Sequence, residues 1–345
     1  MFGEHVSPPM RDRLLAALDL QEVDRPPCVS SGQTAILELQ KAVDAMWPQA
    51  HQDPERMARL AMAAVEMGGL EGARVPFETT VDASAFGAGV AMGGPTKHPY
   101  VSWHPLADHE KLEVAQVPDP RRDGRSPVVL EAVRRLSGGR VPVLCAVTAP
   151  FTLACMLRGE RETMMDLIVD PTFIHNLMSA ALDFSISFVE AAVDEGADVI
   201  VVEDTWASGE ILSSQQYGEF ALPGERALTS KIRELGARSI LQLCGHPMLN
   251  LPLMAKCGAN GISVHQKVVL AEARGKLGDD IALVGNIDPK DFVLQPPEKI
   301  LELSRECMGG GIDILSPACG LDPTASLRNL QAMSKAAQSY RPGEG

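Results

Sequence analysis

Two cysteines, two histidines and a small set of acids and amides stand where this chain could carry out chemistry. Cys244 closes the apolar run "SILQLC" and is followed by His246, Cys319 sits in "LSPACGLDP", and His265 ends "GISVH". Thiolates and imidazoles at roughly 2.0–2.3 Å suit zinc, and a catalytic zinc keeps three protein ligands and one open position. Cys244 and Cys319 would supply two of those ligands. The third is His265 or His246, and His265 is favoured because a strand end aims its side chain more rigidly than a loop does. "VVEDTW" places Glu203 and Asp204 together, where a carboxylate can bind a cation, position a polar substrate or exchange a proton, or else form a buried salt bridge. "TAPFTLAC" offers Thr148, with Phe151 as a wall for a planar ligand. "GNIDP" offers Asn286 as a neutral donor and acceptor, with Asp288 capping the next segment. Thr148, Glu203, Asp204 and Asn286 are therefore the expected substrate contacts.

These residues share a place in a pattern. From residue 138 onward a short β-branched run, a turn and a helical segment alternate, the rhythm of parallel strands with crossover helices. "VPVLCAV" (141–147), "DVIVV" (198–202), "SILQLC" (239–244), "GISVH" (261–265), "IALVGN" (281–286) and "IDILSP" (312–317) are the clearest strands. "RPPCVSS" (25–31) and "GARVPFE" (72–78) bring the number to eight. The expected fold is an α/β, TIM (β/α)8 barrel spanning residues 1–345 as one domain, with N-terminal helical additions. Residues 79–126, rich in Gly, Pro and His, form a long βα excursion over one barrel face. In such a barrel the loops after the strands carry the chemistry, and every candidate above lies at a strand end.

The bulk of the sequence excludes several classes. A formal charge of −14 and the lack of a Lys/Arg cluster argue against nucleic-acid binding. No uncharged apolar run of ~18 residues suggests a membrane span. The N-terminal "MFGEHVSPPMRDRLLAALDL" shows no secretion signal, which implies a cytoplasmic address. Seven scattered cysteines without CxxC argue against a disulfide framework and for a reducing compartment. Cys28, Cys145, Cys155, Cys257 and Cys307 are read as small packed hydrophobes.

"RLLAALDLQEVDRPP", "VVEDTWASGEILSSQQYGEFALPGERAL", "LVGNIDP" and "DILSPACGLDPTASLRNLQAM" resemble the uroporphyrinogen decarboxylase superfamily. The resemblance is greater to its corrinoid-dependent branch, the methylcobamide:coenzyme M methyltransferases. It covers nearly the whole chain and is strongest from about 195 to 335. It implies a TIM barrel and a zinc held by a His-x-Cys pair and a distant Cys. That zinc binds the acceptor thiol as thiolate, which attacks a methyl group on the cobalt of a corrinoid carried by a partner protein. Cys244 and Cys319 match two of those ligands, and Gln242 stands where the family has histidine. Asp204, Gln242 and Asn286 are the expected catalytic residues, and because relatives tend to carry an acid where His265 stands, the loss of one imidazole and gain of another nearby makes His265 the expected relocated ligand beside Cys244 and Cys319. If Gln242 marks the loss of zinc, the acceptor becomes a reduced pterin, tetrahydrofolate or tetrahydromethanopterin, whose ring nitrogen is nucleophilic without a metal. A uroporphyrinogen decarboxylase needs an arginine-rich segment of "RQAGR" type, and "SSGQTAIL" has no arginine. A non-catalytic tetrapyrrole-binding barrel is the remaining alternative.

Overall fold

The structure, a computed structural model, describes residues 8–245 and 249–341. Seven parallel strands form one curled sheet in the order β1 (Ala73–Val75), β4 (Val143–Thr148), β5 (Val199–Glu203), β6 (Arg238–Gln242), β7 (Gly261–Ser263), β8 (Ala282–Ile287), β9 (Ile314–Pro317). The segment around Cys28 closes the barrel. It bridges Leu315 of β9 on one side, and its carbonyl accepts from Glu71 N, just ahead of β1, on the other. All eight expected strands are therefore present, each with at least one end displaced by a residue or more, and the "RPPCVSS" segment survives as a single bridge. Two consecutive prolines explain that, since neither offers an N–H to a ladder.

The strands are buried on both faces, and their side chains alternate with period two between the barrel axis and the helix layer. Val29, Leu144, Ala146, Val199, Val201, Ile240, Ala282, Val284 and Ile314 form the inner core. Leu14, Ala17 and Leu18 of the helix Met10–Leu18 enter the same cluster from the N-terminal end of the barrel. That helix is the N-terminal addition expected from sequence, and it works as a plug. The opposite strand faces meet the helix layer in a larger cluster.

One helix, Pro171–Asp194, is long and apolar enough to cross a membrane by length and composition, although no uncharged apolar run flagged it in the sequence. Half of its most apolar window is buried, with Phe173, Leu177, Phe184 and Phe188 on the packed side. The excursion carries more structure than its composition suggested. It holds a helical turn at Val81–Ala85, a hairpin of β2 (Gly89–Ala91) and β3 (Tyr100–Trp103), and a helix at His109–Val114. The pairing of Cys244 with Cys319 in a disulfide, where the sequence argued against a framework, is the other departure. Cys28, Cys145, Cys155 and Cys257 are buried free thiols, and Cys307 is half-buried.

Candidate active site at the barrel mouth

Parallel pairing puts Thr148, Glu203, Gln242 and Ser263 in register across β4, β5, β6 and β7. Because Val201 and Ile240 belong to the inner core, the residues two further along, Glu203 and Gln242, turn inward at the C-terminal mouth. They line a cavity of about 220 Å³ together with Arg74, Cys244 and Cys319. Glu203 is buried and paired with Arg74 Nη2 at 2.6 Å. Burial raises the Glu203 pKa, Arg74 opposes the rise and Glu78 adds to it. Arg74 also donates from Nε to Ser31 O at 3.2 Å, so the ion pair is fixed to the loop after the first barrel segment.

The two cysteines come from strands three positions apart in the sheet, yet their Cα atoms lie 6.1 Å apart and their sulfurs are bonded. A close backbone approach places Cys319. A Cβ on Gly32 would lie 2.3 Å from Gly320 N and 2.7 Å from the Cys319 carbonyl carbon, so only glycine lets these loops touch. Gln33 completes the clasp, with its side-chain Nε2 donating to Leu321 O. Gln242 Nε2 lies 4.0 Å from Cys319 Sγ, and Gln242 Oε1 is buried with no hydrogen-bond donor.

The other expected site residues fall elsewhere. His265 does not line this cavity, and among the described residues no group of three His, Cys, Asp or Glu side chains is arranged to hold a metal. The reason is local. His265 Nδ1 accepts from Lys267 N at 3.3 Å and its carbonyl accepts from Asn286 Nδ2 at 3.2 Å, which ties the residue into its own loop. His246 lies outside the described residues. Asn286 donates again to Val268 O and lines a separate cavity of about 680 Å³ with Asp288 and Cys307. Asp288 accepts from Lys290 N at 2.9 Å, as a residue opening a turn does. Thr148 is spent on the excursion, its Oγ1 donating to Thr79 O at 3.0 Å and its N–H to Asp82 Oδ2 at 2.7 Å. Phe151 is packed in the core rather than walling a ligand.

Asp204 is the clearest displacement. One residue past Glu203, it points into the helix layer and is fully buried. Thr152 donates to its Oδ1 from both N and Oγ1, at 3.1 and 2.6 Å. Its other oxygen and Glu225 Oε1 have no hydrogen-bond partner among the described residues. Burial drives the Asp204 pKa up to about 7, and Thr152 and Glu225 restrain it. Glu225 is raised further by burial and by the charge of Asp204.

Besides Arg74, the titratable residues Glu78 and His98 line the cavity, and sequence reasoning had singled out none of the three. Glu78 follows β1. Burial pushes its pKa up, but Arg125, His51 and hydrogen bonds from Thr80 outweigh that and hold it below the ordinary value. His98, from the loop between β2 and β3, sits at the rim. The predicted strand "GARVPFE" already ended on Glu78 and could have identified it, whereas nothing periodic marks His98.

The match of this chain to known proteins is extensive. Residues 9–340 match the model of the uroporphyrinogen decarboxylase (URO-D) family. The methylcobamide:CoM methyltransferase MtbA of Methanosarcina acetivorans is 34% identical over 338 residues, covering 96% of this chain and 98% of its own. MtaA of Methanosarcina barkeri, of the same description, is 36% identical over 341 residues with the same coverage. A solved methyltransferase from Methanosarcina mazei superposes with a TM-score of 0.92 at 35% identity, covering 96% of this chain and 99% of that one.

Proposed function

The chain belongs to the uroporphyrinogen decarboxylase family, and on that premise we propose that it is a corrinoid-dependent methyltransferase. It moves a methyl group from a methylcobamide, carried by a separate corrinoid protein, to a small thiol seated in the mouth cavity. One observation carries this reading: two cysteines 75 residues apart converge on one cavity in a chain that aligns end to end with methylcobamide:CoM methyltransferases. A cytoplasmic setting belongs to the same proposal, since five cysteines remain free thiols.

The cavity offers what methyl transfer needs. The acceptor must lose its proton and present sulfur in line with the methyl carbon, so that the S–C bond forms as the Co–C bond breaks and its electron pair stays on cobalt. Glu203, fixed by Arg74, and Gln242 Oε1 are hydrogen-bond acceptors that orient any donor group on the ligand. Once reduced to thiolates, Cys244 and Cys319 fit two positions of a zinc site, with the orphaned Gln242 Oε1 as third donor. Bound there, zinc would draw the acceptor thiol into its thiolate form. An amide oxygen is harder than an imidazole, so this set would hold the ion less tightly than one with histidine.

The test is thiol-dependent loss of methyl–cobalt absorbance when reduced protein is mixed with methylcobalamin and small thiols. Turnover with at least one thiol supports the reading, and turnover with none ends it. The acceptor-rich edge of Glu203 and Gln242 also suits the N–H edge of a reduced pterin. Methyl transfer to tetrahydrofolate, with no thiol active, would establish that second reading instead.

A further inference from the structure

A thiol is largely protonated near neutral pH, so its proton needs an acceptor before or as sulfur attacks. The cavity's carboxylates are committed. Glu203 is bound to Arg74 at 2.6 Å, and Glu78 is held by Arg125 and by Thr80 Oγ1 at 2.7 Å. The imidazole expected at position 242 is an amide here. One imidazole does line the same cavity as Cys244, Cys319 and Gln242, and it is His98.

His98 is held in place by its surroundings. Its loop is tied to the body by Gln40 Nε2 donating to Pro95 O at 3.0 Å. Gly94 and Lys97 exchange backbone hydrogen bonds of 3.0 and 3.1 Å, which closes a tight turn just before it. Gly93, at φ +69°, permits that turn, because a Cβ there would meet the Lys97 and His98 carbonyls at 2.1 and 2.8 Å. The ring rests edge-on against the fully buried Trp47, with centroids 5.0 Å apart, and Trp47 N donates to Gln40 Oε1 at 2.9 Å. One ring edge is thus packed and the other open. Its nitrogens form no hydrogen bond with the described residues.

We infer that His98 is the general base that accepts the proton of the acceptor thiol in this cavity. The inference rests on the thiol reading above. In the step, the S–H bond breaks to His98, the thiolate attacks the methyl carbon, and the Co–C electron pair remains with cobalt. His98 then returns its proton to solvent. The charged groups around the ring are Arg74 of β1, Glu78 after it, Lys97 beside it, His51 behind Trp47, and Lys290 and Asp322 on the neighbouring loops. Burial lowers the His98 pKa, Glu78 and Asp322 raise it and Arg74 lowers it, and the net lowering leaves the ring unprotonated near pH 7, with a nitrogen lone pair to take a proton.

The experiment uses the reduced full-length chain with methylcobalamin as donor and 2-mercaptoethanol or 2-mercaptoethanesulfonate as acceptor, between pH 5.5 and 10. For His98→Gln we expect kcat/KM at pH 7 to fall by about 10²-fold or more. The deficit should close above roughly pH 9, where a thiol ionises unaided. Imidazole added to His98→Ala should restore activity at pH 7. Ultraviolet absorbance of the thiolate, on binding thiol without donor, should appear with the native chain and vanish in the variants. A variant with the native pH profile, a loss equal at every pH, or failure of imidazole rescue each overturns the assignment while thiol turnover by the native chain leaves the methyltransferase reading intact. A native chain inactive with every thiol overturns both.

Discussion

Glu203 and Asp204 are neighbours in sequence and lie on opposite sides of the barrel wall. Glu203 faces the mouth, where burial is offset by a counter-ion, Arg74, at 2.6 Å. Asp204 faces the helices, where no cation among the described residues offsets its burial: its pKa rises to about 7 and Glu225 is raised beside it. Tyr217 donates its hydroxyl to Glu225 Oε2, so the outer cluster closes on itself. The inner face differs in opening onto a cavity. Gln242 Oε1 lacks a donor, and the rim carries His98. Adjacent positions thus face the mouth cavity on one side of the wall and the helix scaffold on the other.

The comparison breaks most sharply at the sulfurs. Cys319→Ser removes one of two soft donors on the inner face, and activity should fall by about 10³-fold or more, with zinc uptake by the reduced protein lost. Equilibrium dialysis against zinc, before and after treatment with a thiol reductant, checks this, and the oxidised native protein should bind no zinc because both sulfurs are consumed in the disulfide. Next is the ion pair. Arg74→Met leaves Glu203 buried without a partner, at a cost of about 3–5 kcal/mol, measurable by urea unfolding. Adding Glu203→Leu should recover most of that stability. If it does not, the Glu203 carboxylate is stabilised by something other than Arg74.

The outer face makes a prediction of opposite sign with pH. Both acids have folded-state pKa values above their unfolded ones, and for Asp204, raised to about 7, the folded chain binds the extra proton between roughly pH 4 and 7. The Asp204 penalty is absent at low pH, grows as pH rises through that window and is fully present above it, and the Glu225 penalty has the same sign. Asp204→Asn retains an oxygen for Thr152 and supplies an N–H to Glu225. It should therefore raise the melting temperature at pH 8 while changing it little at pH 4.5, a gain on the order of a few kcal/mol. A variant less stable than the native chain at pH 8 would show that ionising Asp204 in this buried pair is not what costs stability there.

Much of this arrangement was legible in the sequence. The strands carry β-branched runs, and their ends were located well enough to bring Cys244 and Cys319 together across 75 residues. What was misjudged is orientation. Strand β5 reads Val199, Ile200, Val201, Val202, Glu203, all apolar until its end, so no polar alternation announced which of Glu203 and Asp204 turns inward. The inner core resolves it, because Val199 and Val201 join the inner cluster with Leu144 and Ile240, their partners on the adjacent strands. Asn286 and His265 were expected at the mouth for being at strand ends, yet each satisfies the other's backbone or loop first. His98 escaped for a different reason: its position depends on Gln40 and Trp47, more than 50 residues away, and no local pattern encodes that contact.

The smallest expected effect concerns Thr148, which lies in register with Glu203 yet works for the scaffold. Its hydroxyl donates to Thr79 O, and its backbone N–H to the buried Asp82, whose own pKa burial lifts to about 7 against the Thr148 hydrogen bonds. Thr148→Val keeps the shape and the backbone bond and removes one hydrogen bond to a carbonyl, so about 1 kcal/mol of stability should go. Because the lost bond anchors the start of the excursion, and His98 sits further along that excursion, KM for the thiol should rise severalfold while the rate at saturating thiol holds. A rate loss with KM unchanged would mean that Thr148 touches the reacting groups, and the division between an inner binding face and its support would have to be redrawn to include it.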